Sequence, residues 1–526
     1  MSDADFIIVG SGINALTCAA MLARKGRKVL MLERNPRIGG CILTDEITLP
    51  GFVHDVMAMS FTLFIGSRTY AALGAELAQR GLSFADSDTP TGVLLPDGRH
   101  AILTRDHDRN VAAFEKLQPG EGPAFESEMR SVGADLNLIA GLLGGALWSL
   151  PTLAMLAGEI RRRGLRGLAE TLGEFLTSSR GYLETRYRSD VMRALFAPWA
   201  LHCGLGPESA YGGQMVKVIG AALESAGAPI VRGGAARLVG AFERFITDSG
   251  GAIRVSADVD RVELDARGRA SGVRLADGGI LRAKRGVICS VAPDQLYRRL
   301  LRDNPLPNQV ACGLAHFRHG KGDMQIHYAL SAPPRWTSPE LAGVALLHLT
   351  DGLDGVSRAT NECERGLLPA SPTVCVGQPT VLDPSRAPPG KAVLWLQLPE
   401  APRIIKGDAA GEIETPADGR WSEQVRELYA DRIEAILARN ADGFRDSILA
   451  RRVYSPSDLE TLNINLVNGD PYGGFCGLDQ FFIWRPFKSS VNHETHVARL
   501  YHIGASTHPG PGLSGDSGFL LARKLA

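Results

Sequence analysis

Runs of consecutive apolar residues, each too short for a helix, mark the two ends and the middle of this chain. Phe6-Ile7-Ile8-Val9 is the first, Gly286-Val287-Ile288-Cys289-Ser290 lies near the middle, and Leu500-Tyr501-His502-Ile503 comes close to the end. Such unbroken runs predict parallel strands buried on both faces. After the first run, Ala15 to Lys25 is rich in Leu, Ala and Met, which predicts a helix that Gly26 ends. Val29 to Leu32 reads as the next strand. Leu238 to Ile246 reads as a helix. Strand-like runs follow at Ile253–Val255, Val259–Leu264 and Gly272–Leu275, with Asp277-Gly278 as a hairpin turn after them.

These elements fall in three separated pieces, about 1–75, 228–296 and 490–526. The intervening pieces, 76–227 and 297–489, differ in character. The first reads as mainly helical. The second is richer in strands, such as Met324–Leu330 and Val393–Leu398, and has a proline-rich loop from Pro384 to Pro389. A chain that leaves one domain twice and returns twice predicts a site at the seam between two domains.

The chemistry sits where the buried strands end. Gly10-Ser11-Gly12-Ile13-Asn14-Ala15 follows the first strand as G-x-G-x-x-A. Gly10 permits a tight turn, Gly12 lets a pyrophosphate approach the backbone, and Ala15 is small enough for helix–strand packing. The N–H groups near Ile13 and Asn14 face the phosphates. Glu33 ends the second strand, about 20 residues on, where a carboxylate accepts from a ribose hydroxyl; Arg34 follows it. Gly39-Gly40 lets a second loop lie against the pyrophosphate, which a plain Rossmann unit does not need. The last strand runs into Gly504-Ala505-Ser506-Thr507-His508-Pro509-Gly510-Pro511-Gly512-Leu513-Ser514-Gly515. Two glycine-rich turns so far apart predict a long dinucleotide gripped from both directions, FAD.

These residues resemble the phytoene desaturase-type FAD oxidoreductases, and most of all the branch described as pyridine nucleotide-disulfide oxidoreductase domain protein 2-like. Gly10 to Ala15, Gly39-Gly40 with Thr44-Asp45-Glu46, Leu49 to Asp55, Val231 to Gly234, Leu478-Asp479-Gln480, Arg485-Pro486 and Gly504 to Gly510 carry the match. The resemblance implies an α/β fold: a Rossmann-like FAD-binding domain of the glutathione reductase/amine oxidase type, interleaved with an α+β substrate domain. It also implies that Val259 hydrogen-bonds the adenine through its backbone, although strand packing alone would explain a valine there. The cofactor-binding candidates are therefore Gly10, Gly12, Ile13, Asn14, Ala15, Glu33, Arg34, Gly39, Gly40, Val259, Gly504, His508, Gly512, Leu513 and Ser514.

The last helix should start near Leu513 or Ser514, its positive end stabilising the reduced flavin. No cysteine lies in the terminal motif, so FAD is expected to bind non-covalently. His508 is the candidate catalytic residue; it either shuttles a proton or hydrogen-bonds the turn. His316, His319 and His327, and His493 with His496, lack the partners of a metal site, so no metal is expected. His202 reads as a structural histidine.

Composition narrows the rest. Lys+Arg and Asp+Glu are both 57, so no overall field favours nucleic acid. The eight cysteines include no C-x-x-C pair, which points to a reducing compartment. No signal or transit pattern opens the chain, so a cytoplasmic location is expected. Leu136 to Gly158 carries no formal charge, yet a span there would separate segments that must both touch one FAD. Pro151, Gly141, Gly144 and Gly145 also interrupt a helix. Two roles remain for it: lining an apolar substrate tunnel, or dipping into one leaflet with Arg161-Arg162-Arg163 at the headgroups, a peripheral membrane contact through 136–163.

The leading expectation is a desaturase or dehydrogenase that passes a hydride from a largely apolar substrate to flavin N5. The family suggests an isoprenoid- or carotenoid-like molecule. Oxygen or a quinone would reoxidise the flavin, since no second nucleotide fingerprint for NAD(P)H is present. The alternatives are a flavin amine oxidase, and a prenyl- or lipid-binding escort protein of the GDP-dissociation-inhibitor type with the same fold and no redox chemistry.

Overall fold

The computed structural model describes residues 4–526. Strand Ala4–Val9 lies between Val29–Leu32 and Ile280–Ser290, parallel to both. Ala252–Arg254 extends this sheet on one side and Leu500–Ile503 on the other, again in parallel. Strand Ile280–Ser290 belongs to two arrangements. In its first half Leu281 and Ala283 are buried and alternate with exposed neighbours, and there it pairs antiparallel with Ala270–Leu275. From Gly286 to Cys289 every residue is buried, and there it joins the parallel sheet. A strand covered on one face alternates; a strand covered on both does not.

Helices Ile13–Arg24, Ala236–Asp248 and Asp516–Leu525 pack on this sheet. The first and last approach so closely that a Cβ on Gly518 would come 1.9 Å from the Asn14 carbonyl oxygen. The last helix begins at Asp516, later than the sequence suggests. Leu513 (φ 62°) and Gly515 (φ 77°) are left-handed, which keeps the chain out of the helix until then.

A second seven-stranded sheet runs in the order Ile448–Tyr454, Gly322–Leu330, Ala392–Ala401, Val374–Gly377, Leu346–Leu349, Thr91–Leu94, His100–Leu103. Its last two strands come from the otherwise helical stretch before residue 227. They join through a parallel pairing with Leu346–Leu349, which local periodicity does not reveal.

The uncharged stretch folds as portions of two helices, Glu121–Gly144 and Leu150–Phe175. Gly145 caps the first; Ser149 accepts from the Thr152 N–H to cap the second, with Pro151 in its first turn. Among the described residues no helix is long and apolar enough to cross a membrane. Of the arginines expected at the headgroups, Arg162 and Arg163 both pair with Glu159, at 2.6 and 2.7 Å, and Arg163 also binds Asp135. Each is satisfied by its own hairpin.

A buried charge cluster ties the chain's returns together. Arg386, fully buried, donates to Asp55 (2.8 Å), Asp383 (3.1 Å) and the Val231 carbonyl (2.8 Å). Asp55 also accepts from Thr44 and the Ala235 N–H, and Asp383 from the Gly233 N–H, each at 2.7 Å. Two motifs far apart in sequence, Leu49–Asp55 and Val231–Gly234, thus meet on one guanidinium. Removing one partner of such a pair costs about 3–5 kcal/mol, because the other charge stays buried.

Candidate functional site

The C-terminal ends of four parallel strands open into one cavity of about 710 Å³: Gly10, Glu33, Ser290 and Gly504 all line it. In a parallel α/β sheet this is the edge at which ligands bind. Gly10 has φ 92°, and a Cβ there would lie 2.7 Å from the Ser290 carbonyl oxygen, so the turn requires glycine. Gly12 caps helix Ile13–Arg24 without a side-chain hydrogen bond, and no acid occupies its first turn. Its free N–H groups, with Ile13 and Asn14, face the cavity and suit an anion. Ala15 does not line the cavity. It is fully buried in the core, which is the packing role of its position.

Glu33 is buried and holds two donors, the Ser11 hydroxyl at 2.6 Å and the Asn35 N–H at 2.9 Å. Ser11 in turn accepts from the Gly39 N–H at 3.1 Å. One serine thereby joins the first glycine turn, the acid and the second glycine turn. A Cβ on Gly40 would stand 3.0 Å from the Gly12 Cα, so the two turns close on each other only as glycines. Arg34 lies 3.9 Å from Asp258 at the same end. Val259 lines the cavity, but its carbonyl already accepts from Arg299 at 2.7 Å. Arg299 also binds Asp258 at 2.5 Å, a pair that no sequence pattern signals. Gly504, Gly512, Leu513 and Ser514 line the same cavity.

His508 stands elsewhere. Its ring is buried beside the cavity rather than on its wall, and Nε2 lies 2.8 Å from the Gly145 carbonyl. A carbonyl only accepts, so Nε2 carries the proton. Burial, with His493 adding to it, pushes the pKa down to about 3. The ring thus bonds a distant loop rather than its own turn, and it does not stand on the cavity wall.

Two motifs that sequence left without a role brace this region. Arg485 donates to the Ala505 carbonyl at 2.9 Å, and Gln480 accepts the Arg318 N–H (2.9 Å) and donates to its carbonyl (2.7 Å).

None of the sequence's histidine groupings forms a cluster. His319 instead faces Asp294 (2.9 Å) and Asp470 (3.5 Å). The side chains that do converge are His202, His348 and Cys375, whose ligand atoms lie within 4.8 Å of one another. His348 and Cys375 are register partners on adjacent strands, and His202 reaches them from a helix. The two imidazoles share a 3.0 Å hydrogen bond. Burial pushes His202 down to about 4 and His348 well below its usual range, so both are neutral.

Beyond the glycine turns the wall becomes apolar, with Met59, Leu63, Trp199, Leu346 and Trp395 among its residues. A polar group interrupts it. Gln325 clasps the backbone of left-handed Met57 through two hydrogen bonds, at 2.8 and 3.0 Å. Its register partner Gln397 donates to Asp323 at 3.1 Å. Sequence reasoning missed all three. A polar residue inside a buried strand is the only local signal, and the pairing is between strands far apart in the chain.

The donor set fits a dinucleotide flavin: an uncapped helix end for the pyrophosphate, a held carboxylate for the ribose, and a glycine-rich turn for the ring. The comparisons agree. Residues 16–440 match the family of flavin containing amine oxidoreductases. The chain is 27% identical to pyridine nucleotide-disulfide oxidoreductase domain-containing protein 2 of Mus musculus, over 98% of this chain and 92% of that one. It is 25% identical to a limonene dehydrogenase subunit of Castellaniella defragrans (99% and 94%). It is 23% identical to the neurosporene-forming phytoene desaturase of Cereibacter sphaeroides (98% and 93%). The chain is an FAD-dependent oxidoreductase that belongs to the flavin containing amine oxidoreductase family and resembles its carotenoid desaturases.

Proposed function

We propose that the protein dehydrogenates a largely apolar small molecule, of isoprenoid-like character, on FAD. The observation that carries this reading is the continuity of one cavity, which the glycine cradle and a largely apolar wall line together. FAD, when bound, accepts a hydride at N5. The chain's own residues position it: Gly10, Gly12, Ile13 and Asn14 at the pyrophosphate, Glu33 and Arg34 at the ribose, Gly39 and Gly40 beside them, and Gly504, Gly512, Leu513 and Ser514 near the ring. In this reading residues 1–75, 228–296 and 490–526 hold the cofactor, and 76–227 and 297–489 shape the substrate space. The similarity to a limonene dehydrogenase and a phytoene desaturase supports a largely apolar, isoprenoid-like substrate. Oxygen or a quinone reoxidises the flavin. The test is to incubate FAD-loaded protein with terpenes, terpenoid alcohols and polyenes, with oxygen or a soluble quinone. Products lighter by two hydrogens are expected; no such product from any class overturns the reading.

We further infer that the helical hairpin meets a membrane leaflet. Trp148, Leu150 and Leu153 are exposed at 52%, 81% and 62%, while Ala140, Leu143 and Gly144 of the same hairpin line the cavity. An apolar substrate would then enter without crossing water.

Amine oxidation is the second reading. It is favoured by five aromatic side chains on the cavity wall, Trp199, Tyr211, Trp395, Tyr472 and Phe481. Peroxide release from a panel of amines would support it.

A further inference from the structure

Four carboxylates line the cavity among the described residues: Glu33, Asp258, Asp323 and Asp516. Three are committed. Glu33 holds Ser11 and Asn35, Asp258 holds Arg299, and Asp516 accepts from the Thr69 N–H and hydroxyl at 3.2 and 3.0 Å. Asp323 differs. One oxygen accepts from Gln397 at 3.1 Å, and the other is buried and has no partner. Residue 323 is 2% exposed and is the second residue of the strand whose next cavity residue, Gln325, fixes Met57. Burial drives its pKa up to about 8, and the neighbours that oppose this shift, Gln397 first, are neutral groups. A buried acceptor without a partner, on the wall of a cavity built for oxidation, is a place where a ligand donates.

We infer that Asp323 receives the substrate's proton, and that the substrate presents a hydroxyl there, as an apolar alcohol. This rests on the oxidation proposed above. The substrate's C–H bond breaks with its electron pair passing to the oxidised flavin, and its O–H proton passes to the Asp323 carboxylate. A carbon–oxygen double bond forms, the alcohol is oxidised by two electrons, and the flavin is reduced by two. A pure hydrocarbon would leave the free Asp323 oxygen unpaired, at about 1–3 kcal/mol. An amine drawn to a carboxylate would arrive as the ammonium, which cannot release a hydride from its neighbouring carbon. An alcohol satisfies both demands, and the apolar wall takes the rest of the molecule.

The ionised fraction of Asp323 grows about tenfold per pH unit until its midpoint, so the reaction should favour mildly alkaline conditions. Two readouts test this on FAD-loaded wild type and Asp323→Asn. The first is infrared spectroscopy without substrate. A protonated-carboxyl stretch should be present at neutral pH, vanish with a midpoint near 8, and be missing from the variant. Identical titrations in both proteins overturn the assignment. The second is anaerobic bleaching of the flavin by perillyl alcohol and decanol, with limonene and octylamine alongside. The alcohols should bleach it at a rate that rises with pH to about 8. Asp323→Asn should slow it about 100-fold and flatten the pH profile, with flavin absorbance unchanged. A rising limb retained in the variant overturns the proton role; bleaching by limonene or octylamine alone overturns the alcohol. If no compound bleaches the flavin, the oxidation reading itself falls, while the infrared titration still decides the state of Asp323.

Discussion

His508 Nε2 donates to the carbonyl of Gly145 at 2.8 Å, joining the terminal glycine turn to a loop 363 residues earlier in the chain. That loop separates the two hairpin helices, and Asn492 holds its other side through Trp148: the Trp148 N–H donates to it at 3.3 Å and the carbonyl accepts from it at 3.1 Å. The histidine therefore fastens the hairpin to the terminal glycine-rich turn, which lines the cavity. His508→Leu leaves the Gly145 oxygen unpaired and should cost about 1–3 kcal/mol of stability, read as a lower Tm. Flavin reduction should change only a few-fold. A loss near 100-fold in a folded, yellow variant would return His508 to catalysis.

Acid should destabilise the protein through its buried histidines. Burial lowers His54, His202, His493 and His502 to about 4 and His508 to about 3. Between those values and the ordinary histidine range, the unfolded chain binds protons that the folded one refuses. Stability is therefore lost as pH falls below about 6.5, by roughly 1.4 kcal/mol per unit for each net proton. Asp323, raised to about 8, and Glu400, raised to about 7, act in the opposite direction, but the five histidines outnumber them. Thermal unfolding at pH 6.5, 5.5 and 4.5 should show a steepening loss. A flat profile would mean the imidazoles are not buried neutral.

Flavin binding should depend on the serine–glutamate link and on the closeness of the two glycine turns. Glu33→Gln weakens the acceptor for a ribose hydroxyl, and FAD affinity should fall about tenfold or more. Gly40→Ala must fit a Cβ 3.0 Å from the Gly12 Cα, at φ 61°, and should be purified largely colourless. Fluorescence titration of the apoprotein with FAD measures both. Unchanged affinity in Gly40→Ala would show that the turns have room to spare.

The sequence made the nucleotide half legible because its chemistry is local. Gly10, Gly12, Glu33 and Gly39 lie within one strand–helix–strand unit, and their spacing carries the geometry. Gly504 to Ser514 was legible for the same reason. The far wall was not. Asp323 and Gln397 meet only through strand register, and His348 meets Cys375 the same way. Arg386 is an ordinary residue of a proline-rich loop until Asp55 and Asp383 are brought to it. The setting of the His508 side chain was not legible either, because a histidine in a cofactor motif can point either way and its partner, Gly145, lies 363 residues away.

Membrane contact should be driven by the leucines rather than by the arginines, since Arg162 and Arg163 are paired within the hairpin. Leu150→Glu with Leu153→Glu should abolish flotation with liposomes, whereas raising salt should change it little. Flotation that survives the double variant but disappears in salt would reverse that assignment.

The central claim is that one cavity holds FAD and an apolar substrate together, with no pyridine nucleotide as donor. It is tested most directly by absorbance of the purified protein under anaerobic conditions. The protein should be yellow, stay oxidised with NADPH, and bleach when an apolar terpenoid substrate is added. A flavin that NADPH alone bleaches, or a protein that binds no flavin, would contradict the account.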